Sequence, residues 1–287
     1  MPESRRIHAL LLDLDGVVYL GARLLPGVKR TLRTLLSRGI SVLYVTNNAT
    51  MTRNEFAAKL RRLGLPCRNR DVMNAALAAA LFLRARYGAG ARVTVVGEHG
   101  LPRELAAAGL RPREAATRVE WERSRRSRGG VSAVVVSFDR TLTYWKLCAA
   151  LDALRAGAKL VACNLDPTWP AGPGLIMPGT GSLVALLARA SGKKPVLVGK
   201  PDPEMFRLLL RANGISPREA LVVGDRLDVD VEAGRRLGAR TAVVLTGLTG
   251  RAHIRRARPK PDYVLRGLAD LLKMDIFAES GRAKRNA

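Results

Sequence analysis

Two carboxylates stand two residues apart in Leu10-Leu11-Leu12-Asp13-Leu14-Asp15-Gly16. They close an apolar run, Ala9–Leu12, that reads as a buried strand. Alternate side chains of an extended chain share a face, so Asp13 and Asp15 can face one pocket, and Gly16 lets the chain turn away. Carboxylates this close repel unless a cation or a proton separates them. The bland reading is an ordinary Asp-Gly turn. A second acidic group, Gly224-Asp225-Arg226-Leu227-Asp228-Val229-Asp230, follows the apolar run Leu221–Val223. Asp225 ends its strand as Asp13 does, whereas Asp228 reads equally well as a helix cap or dipole partner. The chain has 24 Asp+Glu against 49 Lys+Arg, so acids gathered at two strand ends point to a hard-cation site. Mg2+ suits such oxygen ligands, with waters and a substrate phosphate completing its shell.

Two further polar groups follow apolar strands. Thr46-Asn47-Asn48 ends the run Val42–Val45, and a hydroxyl with the backbone N–H groups that follow it suits a phosphate oxygen. Gly199-Lys200-Pro201-Asp202-Pro203 places a lysine after Pro195–Val198, and Pro203 opens a helix. Either could be a plain turn or a surface lysine; four polar groups at four strand ends are less easily explained that way.

The elements that must position these residues alternate strand and helix, the pattern of a parallel sheet covered by helices. Strands are expected at 9–12, 40–45, 195–198, 221–223, 241–245 and 263–265. Helices are expected at 26–38, 52–63, 203–213 and 231–237. In open sheets of this kind ligands bind beyond the carboxyl ends of the strands. The middle of the chain repeats the pattern by itself, with helices at 74–86, 102–108 and 144–155 and strands at 93–96, 133–136 and 159–162. Glu122–Gly130 reads as an arginine-rich solvated loop, and the proline-rich stretch 164–181 as a long loop. The fold class is therefore α/β, with a Rossmann-like core at 1–73 and 178–287 and an inserted α/β domain at 74–177. A polar tail follows Met274.

The four groups in order, Asp13-Leu14-Asp15-Gly16, Thr46-Asn47-Asn48, Gly199-Lys200-Pro201 and Gly224-Asp225 to Asp230, resemble the haloacid dehalogenase (HAD) superfamily of phosphotransferases. The inserted domain, with Gly97-Glu98-His99-Gly100, Asp139 to Tyr144 and Asn164 to Thr168, is similar to the large cap of the NagD-like, 4-nitrophenylphosphatase-type branch. The resemblance covers about residues 7–270. It implies a phosphatase for a small phosphorylated metabolite, with Asp13 as nucleophile and Asp15 as general acid and base. Mg2+ would be held by Asp13, the Asp15 carbonyl and Asp225, and phosphate by Thr46, the Asn47 N–H and Lys200. Asp230, Asn48 and Asp228 would support these groups. Asp139, Arg140, Asn164, Asp166 and Thr180 are candidate leaving-group contacts, each with a bland reading as a loop residue. A homodimer through the cap is a further expectation of the family.

Composition narrows the alternatives. Hydrophobic residues are 47% of 287, which is incompatible with a disordered polyelectrolyte. Cys67, Cys148 and Cys163 are scattered, giving neither a disulfide framework nor a zinc pair. No signal peptide or membrane span is visible, so a cytoplasmic location is expected. The net charge of +25 suits a nucleic-acid binder or a protein with small anionic ligands. Aromatic residues, which stack on bases, are only 5%, so nucleic acid ranks second. A binding protein on a retired HAD fold and a phosphomutase are the alternatives. The basic stretches 122–128 and 251–260 have no assigned role.

Overall fold

The structure, a computed structural model, describes residues 6–126, 130–172, 174–258 and 260–278. Residues 127, 128 and 259 of the basic stretches and most of the polar tail lie outside these residues. Contacts divide the chain into two compact units. The first contains the residues up to Thr46, Phe56–Met73 and those from Lys200 onward; the second contains Asn47–Glu55 and Asn74–Gly199.

In chain order, β1 (Ala9–Leu12) is followed by a short hairpin, β2 (Tyr19–Leu20) and β3 (Arg23–Leu24), then α1 (Val28–Ser37), β4 (Ser41–Thr46), α2 (Arg53–Arg62) and β5 (Val72–Asn74). The next stretch runs α3 (Ala75–Tyr87), β6 (Arg92–Val96), α4 (Gly100–Ala107), β7 (Arg111–Arg113), α5 (Arg118–Arg126), β8 (Ala133–Val136), α6 (Tyr144–Arg155) and β9 (Lys159–Ala162). A second hairpin, β10 (Thr168–Gly172) and β11 (Leu175–Pro178), leads to α7 (Thr180–Ser191) and β12 (Val196–Leu197). The chain ends with α8 (Glu204–Ala212), β13 (Ala220–Gly224), α9 (Glu232–Leu237), β14 (Arg240–Val244), α10 (Arg251–Arg256) and β15 (Tyr263–Leu265).

The first unit is built on a six-stranded sheet ordered β15-β14-β13-β1-β4-β5. From β15 to β4 all neighbours run parallel, with Leu12 opposite Val223 on one side and Tyr44 on the other. All four residues of β1 and all five of β13 are buried, as expected of strands covered on both faces. Helices cover the sheet through apolar stripes, such as Val28, Leu32 and Leu35 on α1 and Met205, Phe206, Leu209 and Leu210 on α8. The chain leaves β1 toward β4 on one side and returns to β13 on the other. The carboxyl ends of β1 and β13 are therefore the topological switch point, where such sheets bind ligands.

The second unit has its own parallel sheet, ordered β12-β9-β8-β6-β7. Small residues of α3 (Ala75, Ala76, Ala79, Ala80) pack with Val93, Val95, Val135 and Val161 in one core cluster. Ala150, Leu154, Val184 and Leu187 pack with Val134, Val136 and Leu160 in another. Asn74 caps α3 by accepting from the Leu77 N–H at 2.8 Å.

Three sequence expectations change here. The second unit reaches Gly199, beyond the boundary placed at 178, because α7 buries Val184 and Leu187 against its sheet and β12 joins the edge. Arg118–Arg126, half of which was expected to be loop, is helix α5. It buries no side chain and is tied down by Trp121, which stacks on Trp145 at 5.3 Å and donates Nε1–H to Asp152 at 2.8 Å. The stretch 164–181 contains the hairpin β10–β11, an isolated two-stranded ribbon that accommodates prolines at its edges.

Candidate active site

Asp13 is the first residue after β1, and its N–H donates to the Val223 carbonyl at 2.9 Å, so the sheet pairing carries through to the site. Asp225 is the first residue after β13, the neighbouring strand. Their carboxylates meet that of Asp230: one oxygen from each lies within 4.8 Å of the others. Asp230 comes from a π-helical turn, Leu227–Val231, whose wider winding carries its side chain back toward the strand end. Gly224 permits this, since a Cβ there would come 2.1 Å from the Asp230 side chain.

Lys200 joins the cluster. Its Nζ donates to Asp13 Oδ1 at 2.6 Å, Asp230 Oδ1 at 2.6 Å and the Val45 carbonyl at 3.2 Å. The ammonium is buried. Burial alone would pull it down, but Asp13 and Asp230 more than offset that and hold it above its ordinary value. Asp13 is held well above the usual carboxylate range by burial and by the charges of Asp230 and Asp225, against the pull of Lys200. Burial and Asp230 push Asp225 up to about 6. Three clustered carboxylates thus stand against one lysine, and burial together with the neighbouring negative charge holds Asp13 and Asp225 up.

That imbalance, with an all-oxygen donor set at a strand-end switch point, fits a divalent cation. Asp13, Asp225 and Asp230 are the clustered carboxylates that could hold one, and Asp230 is already paired with Lys200. Asp225 is oriented by the Leu248 N–H, which donates to its Oδ2 at 2.8 Å, while its carbonyl accepts from the Thr249 N–H at 3.2 Å. Two glycines press on the same carboxylate. A Cβ on Gly247 would lie 2.0 Å from Asp225 Oδ2, and one on Gly16 would lie 2.8 Å from it. Gly16 also has a φ of +78°, which glycine adopts without strain.

Asp15 sits at the rim, open to water. Packing around it nevertheless raises its carboxyl, and Lys59 and Lys200 pull the other way. Thr46 is buried at the end of β4, one residue from the carbonyl that receives Lys200. Asn47 and Asn48 belong by contacts to the second unit, where the Asn47 carbonyl accepts from Asn164 Nδ2 at 3.1 Å and Asn48 Oδ1 accepts from the Thr50 N–H at 2.9 Å. Asp228 does not join the carboxylate cluster: its side chain is exposed and paired with Arg226 at 2.7 Å.

The expected leaving-group contacts all lie in the second unit, and two are already engaged there. Asp139 is buried against Lys146 Nζ at 2.8 Å and accepts from Thr141. Arg140 is clamped on Glu98 by two bonds, 2.6 and 2.7 Å. These charges hold the unit's own loops together. Asn164 Oδ1 accepts from the Asp166 N–H at 3.1 Å, and the Thr180 hydroxyl is buried with no hydrogen-bond partner. Gly179 and Gly181 lie against the backbone of residues 165–168, leaving no room for a Cβ; close packing accounts for both.

Sequence reasoning missed Gly247, Thr246 and Lys59. Thr246, whose hydroxyl donates to the Gly16 carbonyl at 2.6 Å, and Gly247 lie two and three residues beyond the end of β14. Lys59 lies within a helix and carried no signal.

The haloacid dehalogenase-like hydrolase family matches residues 10–111, and a HAD-hydrolase-like family matches residues 197–271. Over 264 residues the chain is 39% identical to the D-glycerol 3-phosphate phosphatase of Mycobacterium tuberculosis, covering 91% of this chain and 70% of that protein. The chain belongs to the haloacid dehalogenase-like hydrolases. Among solved structures, the p-nitrophenyl phosphatase of Archaeoglobus fulgidus matches this HAD hydrolase with a TM-score of 0.83 and 31% identity, over 93% of this chain and 99% of the other. The glycerol phosphate phosphatase of Mycobacterium tuberculosis, solved with magnesium, matches with a TM-score of 0.82 and 37% identity, over 92% and 77%. The fold class is thus that of the HAD phosphatases, a parallel-sheet α/β core with an α/β cap, and this HAD hydrolase is a phosphatase. Among the described residues, no helix is long and apolar enough to cross a membrane.

Proposed function

We propose that this chain is a Mg2+-dependent phosphomonoesterase for a small phosphorylated metabolite, working through an aspartyl-phosphate on Asp13. The observation that carries the reading is the convergence of Asp13, Asp225 and Asp230 around Lys200 at the ends of adjacent strands. Names of relatives support the substrate class: glycerol phosphate phosphatase and p-nitrophenyl phosphatase both denote phosphomonoester hydrolases.

The residues divide the work as follows. Lys200 fixes the Asp13 carboxylate from one oxygen, so the side chain meets phosphorus without rotational search. Asp13 attacks phosphorus as the bond to the leaving oxygen breaks, and Asp15 gives that oxygen its proton. Asp15, now a carboxylate, takes a proton from the water that attacks the phosphoryl group, and Asp13 is released. The Thr46 hydroxyl and Lys200 hold phosphoryl oxygens, and Asp230 keeps Lys200 in place. Bound Mg2+ would offset the repulsion between a phosphate dianion and these carboxylates.

The test is phosphate release from a panel containing glycerol 3-phosphate, 2-phosphoglycolate, dihydroxyacetone phosphate, pyridoxal phosphate, a nucleoside monophosphate and 4-nitrophenyl phosphate. Turnover that requires Mg2+ and is lost in Asp13→Asn supports the reading. Turnover that survives either change refutes it.

A further inference from the structure

A cleft of about 560 Å3 opens in the first unit where the β2–β3 hairpin runs into α1. Leu24 and Leu25 give it an apolar wall, and α1 lines it with Lys29, Arg30, Arg33 and Thr34. None of these residues belongs to the carboxylate cluster around Lys200. No carboxylate lines the cleft, and among the described residues none of its three cations forms an ion pair.

The cations crowd one flank of the helix. Lys29 and Arg33 stand four residues apart, and Arg30 and Arg33 three apart. Lys29 and Arg33 also reach the same backbone glycine. The Arg33 guanidinium donates to the Gly64 carbonyl at 3.4 Å, and a Cβ on Gly64 would lie 2.7 Å from Lys29 Nζ. Like charges at this helical spacing repel and cost stability. Elsewhere the chain meets such an arginine with an acid one turn away, as in Arg118 with Glu122, Arg236 with Glu232 and Arg266 with Asp270. α1 has no acid in its ten residues. Its three cations gain from any group that brings negative charge between them. The kind of group follows from their exposure. All three side chains are open to water, where a single ion pair is worth little. A ligand must therefore engage several cations at once, through negative groups already linked to one another.

We propose that this cleft is a second anion site, separate from the phosphatase centre, for a small ligand with two linked phosphate groups. Free pyrophosphate and a nucleoside diphosphate share that chemistry. The leucine wall offers apolar contact to the base of the nucleotide alone.

The experiment is calorimetric titration of the full chain with pyrophosphate, ADP and inorganic phosphate in EDTA. Without Mg2+ the clustered carboxylates of the catalytic site repel anions. Pyrophosphate and ADP should each bind at a single site per chain, about tenfold or more tighter than inorganic phosphate, and more weakly as NaCl is added. The combined variant Lys29→Gln, Arg30→Gln, Arg33→Gln should weaken both by about tenfold or more. Two controls should stay within about twofold of the wild type. One is Asp13→Asn. The other removes three exposed arginines of α10, Arg251→Gln, Arg255→Gln and Arg256→Gln, and so takes away the same charge elsewhere. ADP binding tighter than pyrophosphate would support a nucleotide as the ligand, and equal affinities would support the linked phosphates alone. Three results overturn the proposal: no binding of either probe, binding unchanged in the α1 variant, or an equal loss in the α10 variant, which would make the net charge of the chain the whole cause.

Discussion

Three clustered carboxylates facing one ammonium leave the ends of β1 and β13 with surplus negative charge, and burial together with that charge holds Asp13 and Asp225 above the usual carboxylate range. Removing the ammonium should therefore be costly twice over. Lys200→Met should lower kcat by roughly 10²–10³-fold through loss of a transition-state cation. It should also destabilise the fold by about 3 kcal/mol, because Asp13 and Asp230 lose their buried partner. Kinetics and urea unfolding at neutral pH check the two parts separately. Gly247 gives a subtler probe. A methyl group there collides with Asp225, so Gly247→Ala should raise the Mg2+ concentration needed for half-maximal activity by about tenfold or more while the far-ultraviolet circular dichroism is kept. Asp13, Asp225 and Lys200 stood out as candidates in the sequence because each follows an apolar run. Gly247 did not, because a glycine shows its purpose only when the atom it makes room for is known. Asp139 and Arg140 misled for the converse reason: an acid and a base in a loop look available until their partners, Lys146 and Glu98, are seen.

Most long elements with a buried face were readable, although β5, a three-residue buried strand at the sheet edge, was not. β8, α6, β9 and β15 fall where apolar runs and helical spacing place them, since burial dictates their residue types. α5 has no apolar stripe and depends on one aromatic anchor, so its arginines read as loop. If Trp121 is that anchor, Trp121→Ala should cost about 1–2 kcal/mol from the lost stacking and hydrogen bond. Hydrogen exchange should then accelerate in residues 118–126 and stay slow in β1 and β13. The π-helical turn before α9 also escaped the sequence. It is the element that turns Asp230 toward Lys200 while Asp228 stays outside with Arg226.

At the scale of the whole molecule, a net charge of +25 surrounds a site for an anion. Such a field raises the encounter rate with a phosphate ester and is screened by salt. The kcat/KM for 4-nitrophenyl phosphate should fall several-fold between roughly 20 mM and 0.5 M NaCl, with kcat nearly constant; a salt-insensitive kcat/KM would deny the charge this role. The thiols report packing across the chain. Cys67 and Cys163 are buried and pushed up to about 12, whereas Cys148 is partly exposed. Alkylation near pH 8 should modify Cys148 alone in the native protein and all three cysteines after denaturation, as mass spectrometry would show. The division into two α/β units was legible because each repeats its own alternation of strands and helices. The return point was not, because α7 carries an apolar face that would suit either sheet.

Asp13, held by Lys200 beside Asp225, should become covalently phosphorylated during turnover. Acid quenching during turnover of a phosphomonoester with Mg2+, then reduction of the acyl phosphate with tritiated borohydride and peptide mapping, is the direct measurement. The label should map to residue 13 and disappear with EDTA or in Asp13→Asn. Turnover with no label at residue 13, or with label on another side chain, would contradict it.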